Sequence, residues 1–251
     1  MALVLTGRGT AVANAGLTVT SASFTPSNNS LLFAIGAFSN DGSLATGWSC
    51  SGGGLTWVQR FLVRDTNGTF DNVQVVYTAS VTTGASMTVT LSNSQTPSND
   101  HENLHLFDVT GYNTSVPIAA TSATGTRIGT GAYSRTLTSP PSATSIVVGT
   151  RSWEESGETA NASATPGATF TELYDTAPQI GFAGLQLQYR AGSTSTTVDW
   201  VDVIDASVPE FTSTALAFEI QADSAASSPP PSLLVGSLQA MLTRKTRMVG
   251  Y

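Results

Sequence analysis

Charge is scarce in this chain. Asp, Glu, Lys and Arg make up 11% of its 251 residues; Ser, Thr, Gly and Ala fill most small and polar positions, and Val, Leu and Ile come in short bursts. That is the composition of strands and tight turns. Cysteine is reduced to Cys50 alone, which excludes a disulfide framework, and a single thiol in a Gly/Ser-rich stretch is incidental. Long hydrophobic runs are missing as well. No stretch approaches the roughly 18 apolar residues of a membrane span, and the opening Met1-Ala-Leu-Val-Leu is far too short for the core of a signal peptide. Synthesis in the cytoplasm without a signal is therefore expected, which leaves the N-x-Ser/Thr sequons at Asn28, Asn67, Asn113 and Asn161 without a role. Helical periodicity is absent before about residue 232, whereas runs such as Ala85, Met87, Val89 and Leu91 alternate with period two. Regularly spaced apolar strands of this kind exclude a disordered body, because they bury enough surface to fold.

The charge that is present lies unevenly. Through Asp223 there are 17 acids against seven arginines, a net −10, and the remainder carries Arg244, Lys245 and Arg247 with no acid, a net +3. The acidic body repels nucleic acid, so no nucleic-acid partner is expected, while the tail is cationic.

The most informative feature is an internal duplication. Ser30-Leu-Leu-Phe corresponds to Ser145-Ile-Val-Val at an offset of 115, Gly54-Leu-Thr-Trp57 to Gly167-Ala-Thr-Phe170 at 113, Asn72-Val-Gln-Val-Val-Tyr77 to Gly184-Leu-Gln-Leu-Gln-Tyr189 at 112, and Leu106-Phe-Asp-Val109 to Ala217-Phe-Glu-Ile220 at 111. Pseudo-repeats 17–111 and 132–222 each offer about six strands, joined by residues 121–131. The first half predicts strands near 17–24, 30–38, 55–63, 72–79, 85–92 and 103–110; the second predicts them near 132–138, 144–151, 168–174, 181–190, 195–204 and 212–221. About twelve short strands at this spacing predict an all-β sandwich or barrel over residues 1–222, and the short join favours one sandwich with pseudo-twofold halves over two separate ones.

The series Phe24-Thr-Pro-Ser-Asn-Asn-Ser, Gly52-Gly-Gly-Leu-Thr-Trp57, Val75-Val-Tyr-Thr-Ala79, Met87-Thr-Val-Thr-Leu and Phe107-Asp-Val-Thr-Gly111 resembles the concanavalin-like jelly-roll family found among phage structural proteins and bacterial surface proteins. The resemblance implies a jelly-roll β-sandwich serving display or adhesion, toward glycans or other virion proteins, and it brings no active-site residues with it.

Motifs for chemistry fail on physical grounds. His101-Glu-Asn-Leu-His105 matches the metalloprotease pattern and holds both histidines of the chain. That motif works on a helix, where residues four apart share one ion; on a strand they stand about 13 Å apart. The run into Leu104-His-Leu-Phe-Asp-Val alternates as a strand, so an edge or surface histidine pair is expected. A glycosidase on a sandwich needs two carboxylates about 5 Å apart on one face. Asp199, Asp202 and Asp205 are spaced by three and so alternate faces, and Glu154, Glu155 and Glu158 fall after a strand, so solvated carboxylates are expected. No catalytic residue, metal site or cofactor is assigned.

Recognition falls to aromatic residues and the tail. Trp48, Trp153 and Trp200 are the candidates for stacking on sugar rings, whereas Trp57 is expected in the core. Residues 223–232 form a Pro-rich spacer, stiff toward polyproline, and residues 233–251 predict a short helix. Leu234, Leu238, Met241, Lys245 and Met248 follow the 4-3-4-3 spacing of a docking stripe, flanked by Arg244 and Arg247. So short a helix needs a partner to be stable. The expected protein is a non-enzymatic virion accessory component (capsid decoration, head spike or fibre) located on the virion. Its tail attaches to capsid or tail proteins or to its own copies, with a homo-oligomer, a trimer for instance, as the state. A glycan-binding module for cell-surface sugars is the alternative, and a glycoside hydrolase the weaker one.

Overall fold

A computed structural model describes residues 1–14, 17–40, 47–66, 71–94, 101–127, 133–155, 164–176, 183–201 and 211–223. The tail residues Leu234, Leu238, Met241, Arg244, Lys245, Arg247 and Met248 lie outside them, as does the expected helix over 233–251. The described residues hold fifteen strands and no helix. In the first half these are β1 (Val4–Asn14), β2 (Thr18–Thr20), β3 (Ser30–Asn40), β4 (Ser49–Ser51), β5 (Val58–Thr66), β6 (Asp71–Val81), β7 (Thr90–Ser92) and β8 (His101–Thr110). The second half has β9 (Ile118–Arg127), β10 (Tyr133–Thr136), β11 (Ile146–Glu155), β12 (Thr171–Thr176), β13 (Ala183–Ala191), β14 (Thr197–Trp200) and β15 (Phe211–Ile220).

All pairings are antiparallel, and the two halves are built alike. The first contributes a five-stranded sheet in the order β1-β8-β3-β6-β5 and a small sheet β2-β7-β4. The second contributes β9-β15-β11-β13-β12 and a small sheet β10-β14. The large sheets pack face to face. Leu31, Phe33, Ile35 and Val76 from one meet Val148, Leu187, Leu216 and Phe218 from the other in a shared core. Four rings form its spine: Phe107 stacks on Phe33 at 4.6 Å, Phe33 on Phe218 at 5.7 Å, and Phe218 on Phe61 at 5.5 Å. Each small sheet covers the outer face of its own large sheet, through Val19, Val89 and Leu91 over Leu32, Val75 and Leu104 in the first half, and through Val198 and Trp200 over Val147, Trp153 and Ala217 in the second. Both faces of β3, β6 and β11 are therefore buried, which explains why Leu31 through Phe38 read as a continuous apolar run.

Local details repeat as well. Asp108 on β8 accepts from the Ser27 amide at 2.6 Å and from Arg8 Nε at 2.9 Å; the equivalent Glu219 on β15 accepts from the Ser142 amide at 2.8 Å and from the Ser145 hydroxyl. The sequence behind both clasps is Pro-Ser-x-x-Ser, at 26–30 and 141–145. Bulges recur at the same repeat position, between Gln59 and Phe61 and between Glu172 and Tyr174, and each sends an aromatic ring to the other half. Phe61 reaches Phe218, and the Tyr174 hydroxyl accepts from the Gly9 amide at 2.7 Å. Gly9 follows the β1 bulge with φ at +122°, a conformation that suits glycine.

The register corrects one alignment made from sequence. Leu31 pairs with Ser80 and Ile146 with Ala191, so β6 matches β13 at an offset of 111, not the 112 suggested by Tyr77 and Tyr189. One residue of shift exchanges the faces: Tyr77 belongs to the outer core of its half, and Tyr189 packs against the shared one.

The indoles of Trp153 and Trp200 fill space left by glycine. A Cβ on Gly184 would overlap Trp153, and one on Gly149 would press on Val198 and the Trp200 ring. We therefore expect Gly184→Ala to destabilise the protein by about 1–3 kcal/mol in denaturant titration. The loss should shrink when Trp153→Leu is added; an equal loss in both backgrounds would contradict the contact.

Candidate functional site at the loop end

The strand registers place Asn14, Asn40, Thr66, Asp71 and His101 at one end of the first large sheet, and Arg127, Glu155, Thr176 and Phe211 at one end of the second. Bonds between the sheets show that the two ends coincide, since Asn72 Nδ2 donates to Ser152 Oγ at 2.9 Å and the Ser213 amide to Asp65 Oδ2 at 3.2 Å. For each of the connections 15–16, 41–46, 67–70, 95–100, 128–132, 156–163, 177–182 and 202–210, at least one flanking strand end therefore lies at this single end. Residues 1–3, 111–117 and 221–223 lie at the other, together with the connections 21–29, 82–89, 137–145 and 192–196.

Beneath the loop end the shared core turns polar. Thr214 Oγ1 donates to Asn72 Oδ1 at 2.7 Å, Gln74 Nε2 to the Thr214 carbonyl at 2.9 Å, and the Thr150 hydroxyl to Gln74 Oε1. All of these residues are fully buried. The cause lies in the alternation: Asn72 and Gln74 continue the inward row of Val76, so the sequence puts amides where the sandwich would otherwise close on hydrocarbon. Each amide left unpaired there would cost about 1–3 kcal/mol, so the network permits only the stacking in which the partners meet.

His105 belongs to this layer. It sits on β8, between β1 and β3, and is fully buried, which corrects the expectation of an edge or surface histidine. Its ring meets Tyr174 edge-on at 5.3 Å, Nε2 lies 2.8 Å from Thr176 Oγ1, and Nδ1 has no hydrogen-bond partner among the described residues. Burial holds its pKa down at about 3. His101 is on the same strand, so the two imidazoles are not stacked as the protease motif requires. Among the described residues no three His, Cys, Asp or Glu side chains are grouped to hold a metal ion.

The tryptophans separate. Trp153 and Trp200 are 1% and 0% exposed, so neither offers a face to a sugar, which corrects their assignment. Trp200 Nε1 donates to Gln186 Oε1 at 2.8 Å. Trp48 is half-buried, edge-on to Phe38 at 3.8 Å, and Trp57 is half-buried against the outer core of the first half. Asp199 is half-buried on β14, whereas Asp202, Asp205 and Glu158 lie outside the described residues. Glu154 and Glu155 belong to β11 rather than to the connection after it. Cys50 is half-buried on β4, and burial pushes its thiol up to about 12, where it is a poor nucleophile. No helix among the described residues is long and apolar enough to cross a membrane.

Set against known proteins, the chain matches no family model, no curated protein and no solved structure.

The buried imidazole has a consequence for acid stability. The folded protein holds His105 neutral down to about pH 3, while the unfolded chain protonates it near 6.5. Its contribution is therefore complete above pH 6.5 and is lost progressively as pH falls toward 3, by up to about 1.4 kcal/mol per pH unit. Leu216 holds the equivalent place in the second half, so His105→Leu is the informative change. Urea titrations at pH 7, 5 and 4 should show the wild type losing more stability than the variant; parallel losses would refute the assignment.

Proposed function

We propose that the chain is a non-enzymatic structural component of a virion, a decoration, spike or fibre protein that presents its loop end outward and is attached by its C-terminal tail. The observation that supports this reading is where the chain leaves: Asp223 stands at the end of the sandwich opposite Asn40, Asp71, His101, Glu155 and Phe211, so a tail anchored there leaves the far set of connections free. A recognition surface built from loops on a rigid β scaffold needs its anchor at the far end.

The finer fold reading departs from the single twelve-stranded jelly roll expected from the sequence: we infer a jelly roll in each half. In the first half β1 pairs with β8, β2 with β7 and β3 with β6; in the second, β9 pairs with β15, β10 with β14 and β11 with β13. Nested pairing of this kind is what results when one long antiparallel hairpin is rolled up, and it supports the jelly-roll reading. Burial of Trp153 and Trp200 leaves the glycan alternative with Trp48 alone among its three indoles.

The tail stripe is the part to change. Leu234→Asp, Leu238→Asp and Met241→Asp together should abolish co-sedimentation of the full chain with virus particles assembled in its presence, while the circular dichroism spectrum of the folded β body is retained. Equal sedimentation of both proteins would remove the tail from attachment, and absence of both from particles would overturn the reading.

A further inference from the structure

The two halves differ where the chain leaves the sandwich. At the end where the chain leaves, Gly111 and Tyr112 of the first half pair with Ala222 and Asp223 of the second about the pseudo-twofold: Tyr112 bridges Ala222, the Asp223 amide donates to the Gly111 carbonyl at 2.8 Å, and the Asn113 amide donates to the Gln221 carbonyl at 2.8 Å. At the register offset of 111, Tyr112 is equivalent to Asp223 and Ser80 to Ala191. In the first half the Tyr112 ring packs against the shared core, its hydroxyl 3.4 Å from Ser80 Oγ. In the second half Asp223 supplies no ring. What remains is a groove of about 550 Å³ whose lining includes Leu3, Ile146, Ala191, Ala222 and Asp223. Ile146 in its wall is 3% exposed and belongs to the shared core, so the groove opens directly onto hydrocarbon.

The geometry points to an occupant from the same chain: the apolar stripe of Leu234, Leu238 and Met241. Three features select it. The groove begins at Asp223, the residue from which residues 224–251 continue. Leu234 follows Asp223 by eleven residues, at most about 40 Å of extended chain, and Ser224-Ala-Ala-Ser-Ser228 lets the chain turn back ahead of the three prolines, so tethering gives an effective concentration on the order of millimolar. That exceeds what a second copy reaches at ordinary protein concentrations. The volume also fits, because 550 Å³ accommodates several leucine-sized side chains, as an i, i+4, i+7 row entering a groove requires. Docked there, the stripe replaces in the second half what Tyr112 supplies in the first, and it is shielded until a particle competes for it. That last step rests on the attachment reading above; the docking itself does not.

A cysteine pair tests the docking in the full chain. Ala191→Cys with Leu234→Cys should form a disulfide within one molecule under mild oxidation, at a rate independent of protein concentration. Thr20→Cys with Leu234→Cys is the control, since Thr20 is exposed on β2 in the outer sheet of the first half, and it should cross-link at least tenfold more slowly. Both pairs are made in a Cys50→Ser background, so that the native thiol takes no part in the exchange. As a second measurement, Ala191→Trp, which fills the groove from its exposed rim, should speed tryptic cleavage at Arg244, Lys245 and Arg247 several-fold with the melting temperature unchanged. Disulfide-linked dimers in place of the internal bridge would assign the groove to a second copy and overturn the proposal. Equal rates for the two cysteine pairs, or tryptic cleavage unaffected by Ala191→Trp, would overturn it too. Failure of particle co-sedimentation alongside a rapid internal bridge would instead count against the virion reading alone.

Discussion

Among the described residues, the inner face of each five-stranded sheet is covered by the inner face of the other. Phe33, Phe107, Phe61 and Phe218 form one stack drawn from both halves, so the hydrocarbon that stabilises one half belongs equally to the next. At about 25 cal/mol for each Å² of apolar surface removed from water, exposing such a face would outweigh the few kcal/mol of net stability a domain has. The small outer sheets, by contrast, are local matters, each covered by and covering its own half. The two halves are thus tied through a shared core despite the duplicated sequence.

The polar layer under the loop end complements the aromatic spine. Hydrocarbon alone tolerates several ways of stacking two sheets, because it is non-directional. Asn72, Gln74, Thr150, Ser152 and Thr214 do not, since each finds its partner in only one arrangement. The spine supplies most of the attraction and the amides select among the arrangements it permits. Placing that selection next to the loop connections fixes the strand ends on which they stand.

Much of this was legible in the sequence, and the failures have physical causes. Strands with an apolar row, such as β3, β6, β11 and β15, lie within a few residues of where alternation and the repeat put them. β1 escaped because Gly7-Arg8-Gly9 breaks the alternation at a bulge whose role is to aim Arg8 at Asp108, and β9 because Ala-Ala-Thr-Ser-Ala-Thr-Gly-Thr reads as a join. The twin tyrosines misled by one residue, since identity of type does not guarantee identity of face. Trp200 is a sugar-stacking candidate by sequence; what buries it is space over Gly149, 51 residues earlier in the chain, which the period of its own strand does not reveal. His105 and the amide layer follow the same rule, because their surroundings come from the other half.

The short passage from Thr110 to Ile118 is the only described connection between the two halves, and it runs beside the pseudo-twofold axis. In this respect the molecule is a symmetric dimer whose two subunits have been spliced into one polypeptide. Two separate chains of about 110 residues would part on dilution, and a symmetric interface would force every change to occur twice. Splicing removes both constraints. The assembly survives at any concentration, and each side of a once-equal pair is free to specialise, a tyrosine here and an aspartate there, a histidine facing where its twin keeps leucine.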